Sequence, residues 1–238
     1  MPYVSHEYRF IFFAAPATGS TAVIKGFSDR GIGEYYPLED LVVDGKRVAP
    51  RKHATPNQML ESGLMTGELL DYTRILGIRN PFSFHVAKYL RNKTKRLQSI
   101  NNPNSWINKL PDEERERYTR NITRQSKMTF GQYLHQQFSK LEEPEAVQSN
   151  FHTGIDYFLH QESLSSDVEA ISTILGIEPP IQIELVNVTN AMPEKQSYHD
   201  YYDEDLIQSV MTWNSPSFEL FPEYDFEGFN PEKSVSLG

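Results

Sequence analysis

An apolar run near the start of the chain ends in a short polar turn, and this junction restricts the possible folds most. Residues 8–15 are apolar apart from one arginine, which is typical of a buried strand. The turn over residues 16–21 leads into a helix-compatible run over 20–30. Backbone N–H groups at such a helix start attract phosphate or sulfate, so we predict an anion-binding turn. A tight turn with a capping hydroxyl is the alternative.

The rest of the chain continues this alternation of strands and helices. Further strands are predicted at residues 36–43, 72–78, 155–159 and 182–186. Helices are predicted after the Thr55-Pro56 start signal and at residues 81–92, 111–124, 129–138, 165–175, 203–213 and 217–221. The pattern predicts an α/β fold with a central parallel sheet and helices on both faces. Ligands bind beyond the carboxyl ends of the strands in such sheets.

Composition and net charge exclude several kinds of partner and site. A net charge of −9 argues against binding of a nucleic acid polymer, and the absence of cysteine excludes disulfides and thiolate metal sites. No metal site is predicted. No leader peptide or window of membrane-helix length is found, so we expect a cytoplasmic protein with no membrane contact. We expect one domain over residues 1–228, with a polar helical lid or insertion at about 93–143 and a flexible tail at 229–238.

Two side chains at predicted strand ends are candidate site residues. Arg79 follows the strand at 72–78, where a planar guanidinium can bind an anion with two hydrogen bonds. His53 precedes the Thr55-Pro56 helix start, and an imidazole with a pKa of about 6.5 can accept a proton at neutral pH. The alternatives are a surface ion pair for Arg79 and a hydrogen-bonded structural role for His53.

Several segments, in their order along the chain, resemble the sulfotransferase family, in particular its carbohydrate-type and bacterial branches. They are residues 12–21, Lys52-His53-Ala54-Thr55, residues 78–89 with Arg79-Asn80-Pro81, residues 156–176, and residues 201–221 with a Phe-Glu-Leu-Phe end. The resemblance implies a three-layer sandwich like that of P-loop-containing nucleotide hydrolases, with a helical insertion. It implies 3′-phosphoadenosine 5′-phosphosulfate (PAPS) as sulfuryl donor and 3′-phosphoadenosine 5′-phosphate (PAP) as product.

The resemblance also implies roles for individual residues. The donor phosphosulfate would be held by residues of the turn, namely Ala17, Thr18, Gly19, Ser20 and Thr21. Arg79 would bind the 3′-phosphate, and Lys195 lies in the segment that covers the nucleotide. His53 would be the catalytic base, with Lys52 beside it as a second catalytic residue. The acceptor would be the hydroxyl or amine of a small molecule or carbohydrate, and neither its identity nor the oligomeric state follows from the sequence.

Departures from the family pattern fall within the donor site. Ala17 replaces the loop lysine, and Lys25, Arg51 and Lys52 are the candidate substitutes for its charge. Other replacements are Phe84 and His160 for arginines and Ala87 for a serine. A catalytically degenerate nucleotide-binding protein on the same scaffold is therefore the alternative function. A phosphate-loop phosphotransferase fits less well, because the loop lysine and a strand-end Asp pair for Mg²⁺ are both missing.

Overall fold

The structure is a computed structural model that describes residues 2–44, 46–51, 53–184 and 197–233. The chain divides into two compact units. Unit 1 comprises Met1–Asn80, Val147–Val188 and Ser234–Gly238, and unit 2 comprises Pro81–Ala146 and Thr189–Lys233. Each unit has a hydrophobic core of its own. The single domain expected over residues 1–228 stays a prediction.

The strands all belong to unit 1. They are β1 (Tyr3–Ser5), β2 (Phe10–Phe13), β3 (Glu34–Tyr35), β4 (Leu41–Val43), β5 (Lys46–Ala49), β6 (Thr73–Ile78) and β7 (Tyr157–His160). Five of them form one sheet in the order β3-β1-β2-β6-β7, while β4 and β5 pair separately. The described residues of unit 1 also form the helices α1 (Ser20–Asp29), α2 (Pro56–Glu61) and α7 (Leu164–Ile174). Unit 1 is thus an α/β unit, as predicted.

The central sheet is mixed, whereas the sequence predicted a parallel sheet. The pairs β2–β6 and β6–β7 are parallel, as expected, but β1 pairs antiparallel with both β2 and β3. Only residues 6–9 separate β1 from β2. So short a connection allows an antiparallel pair, because a parallel pair needs a crossover of about a dozen residues or more.

Two predicted strands differ from the structure. The run at 36–43 yields β4, which pairs with β5 outside the central sheet and leaves Val42 and Val43 exposed. The strand predicted at 182–186 is absent over residues 182–184, and 185–186 lie outside the described residues. Ile181 and Ile183 pack instead in the core of unit 1, near Gly26 of α1.

Burial on both faces explains why β2 forms the centre of unit 1. All four side chains of Phe10–Phe13 are fully buried, as the apolar run predicted. Helix α1 covers one face through Val23, Ile24 and Phe27, which lie at the spacing of one helix face. Helix α7 contributes Leu164 and further apolar residues to the same core. The strand–turn–helix junction is therefore anchored on both sides of the turn.

Unit 2 is built from helices. They are α3 (Pro81–Arg91), α4 (Leu97–Asn101), α5 (Asp112–Ser126), α6 (Phe130–Phe138), α8 (Glu204–Trp213) and α9 (Ser215–Leu220), with a π-helical turn at Asn92–Arg96. Short 3₁₀ turns occur in the two units at Gly67–Asp71, Trp106–Lys109, Ser149–Phe151, Gln161–Ser163, Tyr198–Tyr201 and Pro231–Lys233. The helices predicted at 111–124 and 129–138 are confirmed as α5 and α6. In the described ranges, every helix is too short or too polar to cross a membrane.

The end of unit 2 is held by local contacts. Phe229 forms a β-bridge with Tyr224, and the backbone N–H of Asn230 donates to the Glu223 carbonyl over 2.8 Å. The expected flexible tail at 229–238 thus begins with a structured stretch up to residue 233, and residues 234–238 lie outside the described part of the chain.

Candidate functional site

The carboxyl ends of β2 and β6 lie side by side in unit 1. Their parallel register pairs Phe13 with Leu76, so the chain leaves both strands at the same edge of the sheet. From β2 it enters the turn at residues 16–21, which we call the anion turn, and from β6 it continues to Arg79. This is the edge at which the sequence predicted a site.

The anion turn owes its shape to two left-handed residues. Ala17 has φ 69° and Gly19, the N-cap of α1, has φ 76° and ψ 5°. Left-handed backbone costs an alanine roughly 1–2 kcal/mol, whereas glycine adopts it without strain. A Cβ atom on Gly19 would also lie 2.4 Å from Cδ2 of Leu164. Glycine is therefore favoured at position 19, because a side chain there would add backbone strain and displace Leu164.

Two hydroxyls of the anion turn are used to build it. Thr18 is fully buried, and its Oγ1 donates to the Ala15 carbonyl over 3.0 Å. Ser20 Oγ donates to the same carbonyl over 3.2 Å. The resemblance implies that Thr18 and Ser20 hold the donor, whereas the structure directs both hydroxyls toward the backbone of Ala15. Thr21, the third, is exposed.

The backbone amides of the turn are the groups available to an anion. The N–H groups of Ala22 and Val23 already bond to the Gly19 carbonyl over 2.8 Å and 3.4 Å. Across the described ranges of the chain, no hydrogen bond takes its donor from the backbone N–H groups of residues 17–21. Unpaired amides at the start of a ten-residue helix form a cradle of partial positive charge.

Arg79 contacts the anion turn directly. Its Nη1 donates to the carbonyl oxygen of Ala17 over 3.2 Å, and its side chain is partly buried. Because the register of β2 and β6 sets the position of both residues, this contact follows from strand pairing rather than from a flexible surface arrangement. The structure thus brings together the two predicted anion-binding elements.

His53 contacts the carbonyl oxygen that precedes the turn. Its Nδ1 lies 2.5 Å from the Ala14 oxygen, and its backbone is left-handed with φ 66°. A carbonyl oxygen can only accept, so Nδ1 carries the proton in this contact. In the neutral ring the lone pair then lies on Nε2, the arrangement a proton acceptor needs. His53 therefore joins Arg79 beside the same stretch of backbone.

Two other predicted site residues, Lys52 and Lys195, lie outside the described residues. Of the candidate substitutes for the missing lysine, Lys25 pairs with Asp29 one turn along α1, and this contact raises the pKa of Lys25. The backbone N–H of Arg51 donates to the Asp40 carboxylate over 2.6 Å.

The structure adds residues that sequence reasoning missed. Gln148 Nε2 donates to the Pro16 carbonyl, and Glu162 Oε1 accepts from the backbone N–H of Asn80 over 3.1 Å. His160, where the resemblance expects an arginine, contacts Asp167 over 2.9 Å between Nδ1 and Oδ2. The partners of Gln148 and Glu162 are far away in the sequence, so no local pattern marks these two contacts. The left-handed backbone of Gln148, at φ 61°, is equally invisible in the sequence.

The contacts of Arg79 and His53 around the anion turn are therefore the basis for any role of this edge of unit 1. No family model, no curated protein and no solved structure matches this chain.

Proposed function

We propose that this chain is a PAPS-dependent sulfotransferase with a P-loop-like nucleotide-binding fold. The observation that carries the proposal is the convergence of Arg79 and His53 on the backbone of residues 14–17, directly before the unpaired amides of the anion turn. A polyanionic donor requires amides for one phosphate, a guanidinium for another, and a proton acceptor for the attacking group.

The roles follow from the chemistry of each group. The amides of residues 17–21 would hold the 5′-phosphosulfate at the helix start, and Arg79 would bind the 3′-phosphate. When bound, PAPS supplies the sulfuryl group for in-line transfer. His53, with Nδ1 donating to Ala14, would accept the acceptor hydroxyl or amine proton at Nε2. A small molecule or carbohydrate is the proposed acceptor.

The lack of a cation in the turn favours a second candidate function. Position 17 is alanine, and Lys25 is paired with Asp29. A developing negative charge without a fixed cation loses several kcal/mol of transition-state stabilisation, on the order of 3 kcal/mol for one missing donor. A protein that binds the nucleotide without transferring sulfate is therefore the alternative, and it shares the anion turn and Arg79 with the enzyme.

One experiment separates the two functions. PAP affinity is measured by calorimetry, and sulfate transfer from radiolabelled PAPS is followed across a panel of phenols, sugars and amines. Binding with transfer supports the enzyme, whereas binding without transfer to any acceptor supports the alternative. Absence of PAP binding rejects both.

A further inference from the structure

We propose that unit 2 carries an anion site of its own, formed by Lys88, Arg91, Arg96 and Lys140, for a ligand with two or more phosphate or sulfate groups. We call these four residues the basic cluster. They lie at the end of α3, in the π-helical turn and after α6. This inference does not depend on the proposed transferase activity, because it uses residues of unit 2 alone.

The sequence concentrates positive charge in this part of the chain. Residues 81–111, all in unit 2, contain six lysines and arginines and no aspartate or glutamate, although the whole chain has a net charge of −9. Five of these cations fall within residues 88–96. A protein with an excess of carboxylates could have neutralised this segment locally, so its uncompensated charge indicates a partner of opposite charge.

The cluster is supported by aromatic rings and an amide rather than by carboxylates. Lys88 Nζ lies 4.9 Å from the ring centroid of Phe84, and Arg96 Cζ lies 6.0 Å from that of Tyr118. Arg96 Nη1 donates to Asn92 Oδ1 over 3.0 Å. In the described part of the chain, none of the four cations forms an ion pair with a carboxylate.

Burial and mutual repulsion among the cations of the basic cluster lower the pKa values of Lys88 and Arg91. Lys88, Arg91 and Arg96 are partly buried. Burial, followed by the charges of Arg96, Lys140 and Arg91, lowers the pKa of Lys88 to about 8. Burial and the charge of Arg96 likewise lower the pKa of Arg91. Partly buried like charges destabilise the unliganded protein, and a polyanion that binds among them removes this cost.

The local backbone suits such a site. A π-helical turn is rare and is often found at functional sites, and here it begins directly after Arg91 and ends at Arg96. Two guanidinium groups offer planar forks that fit the oxygens of phosphate and sulfate esters, and the ammonium groups of Lys88 and Lys140 add point charges. A single small anion would not neutralise four cations, so the charge of the cluster favours a ligand with several anionic groups.

The test compares two double variants that remove the same charge. Arg91→Gln/Arg96→Gln removes the two guanidinium groups of the cluster, while Lys95→Gln/Lys109→Gln removes two exposed cations from the same segment. Calorimetry with inorganic tripolyphosphate and with sucrose octasulfate measures affinity. We expect the arginine pair to lose about tenfold or more and the lysine pair to change little.

Two further readouts separate a binding role from a structural one. Without ligand, Arg91→Gln/Arg96→Gln should unfold at the same or a higher temperature than wild type, because repulsion is relieved. Arg74→Ala, in unit 1, removes a guanidinium that donates to the Leu70 and Gly154 carbonyls and should keep the affinity for tripolyphosphate. Equal affinity losses in both double variants, unchanged affinity in the arginine pair, or loss of binding in Arg74→Ala would each overturn the proposal.

Discussion

Thr18 and Gly77 form the contact on which the anion turn rests. A Cβ atom on Gly77 would lie 2.8 Å from Thr18 Oγ1 and 3.1 Å from Thr18 Cβ. Thr18 is fully buried and is tied to the Ala15 carbonyl. Contact with β6 therefore fixes the position of the anion turn relative to the sheet, and with it the direction of the unpaired amides.

Gly77→Ala should push the anion turn away from β6, because the added methyl group would overlap Thr18. We expect a loss of about 1–3 kcal/mol in the free energy of unfolding, as for other overpacked sites, and weaker PAP binding. Chemical denaturation and calorimetry measure the two effects. Gly131→Ala is the matched control, because its new Cβ would be 3.5 Å from Leu206, an ordinary contact. Equal effects of the two substitutions would show that Thr18 does not depend on Gly77.

His53→Asn should separate binding from turnover. Asparagine tolerates the left-handed backbone of position 53, so the local fold is expected to persist. PAP affinity should be retained, while sulfate transfer falls about 10²–10⁴-fold because the proton acceptor is lost. His135→Asn, at an exposed position of α6, is the control. A transfer rate that matches wild type would remove His53 as the base.

Ala17→Lys should increase sulfate transfer. Position 17 is already left-handed, so alanine, lysine and methionine bear similar backbone strain there. A lysine would place a cation beside the developing charge, and we expect the transfer rate to rise about tenfold or more. Ala17→Met has a long side chain without charge and should not increase the rate. The same rate in both variants would mean that charge at position 17 does not limit transfer.

His85 should make the stability of the protein depend on pH. In unit 2 its Nε2 contacts Asn214 Oδ1 over 2.8 Å, and only 6% of the residue is exposed. Burial, helped by the charge of Lys88, lowers the pKa of His85 to about 4, although the Asn214 hydrogen bond opposes this shift. The unfolded chain, with a pKa of about 6.5, therefore takes up the proton first. The contribution of neutral His85 to the free energy of unfolding is fully present above about pH 6.5. About 3 kcal/mol of it is lost as the pH falls from 6.5 through 4.

His85→Gln tests this dependence. The variant keeps a side chain that can hydrogen-bond to Asn214 but does not titrate. Unfolding free energies of wild type and variant are measured from pH 7.5 to 4.5. Carboxylates titrate alike in both proteins, so the wild-type curve should fall more steeply below pH 6.5. Parallel curves would show that His85 is not held neutral.

The sequence predicted the elements that rest on local signals. Strand β2 and helix α1 were predicted because an apolar run and a helical pattern flank the Thr-Gly-Ser-Thr turn. Arg79 was expected near that turn because the carboxyl ends of parallel strands share one edge, and its contact with Ala17 agrees with this reasoning. His53 was also expected at a strand end of the parallel sheet, but the strand before it, β5, pairs antiparallel with β4 outside the central sheet. His53 contacts Ala14 all the same. The roles of these residues in sulfate transfer stay predictions.

Features that depend on distant partners were not predictable. Strand β1 has only three residues, too few for a period-2 pattern, and it forms because β2 offers an unpaired edge. Ile181 and Ile183 alternate as in a strand, but they pack near Gly26 of helix α1 instead of joining the sheet. Contacts such as that of Gln148 with Pro16 link residues more than 130 positions apart.

A calorimetric titration with PAP tests the central claim most directly. It compares wild type with Arg79→Ala and with Arg74→Ala. Arg74 lies in β6, the strand that leads to Arg79, and its guanidinium donates to the Leu70 and Gly154 carbonyls. We predict that wild type and Arg74→Ala bind PAP equally, and that Arg79→Ala binds about 30-fold more weakly or not at all. Equal affinity in all three proteins, or no binding by wild type at saturating PAP, would contradict the account.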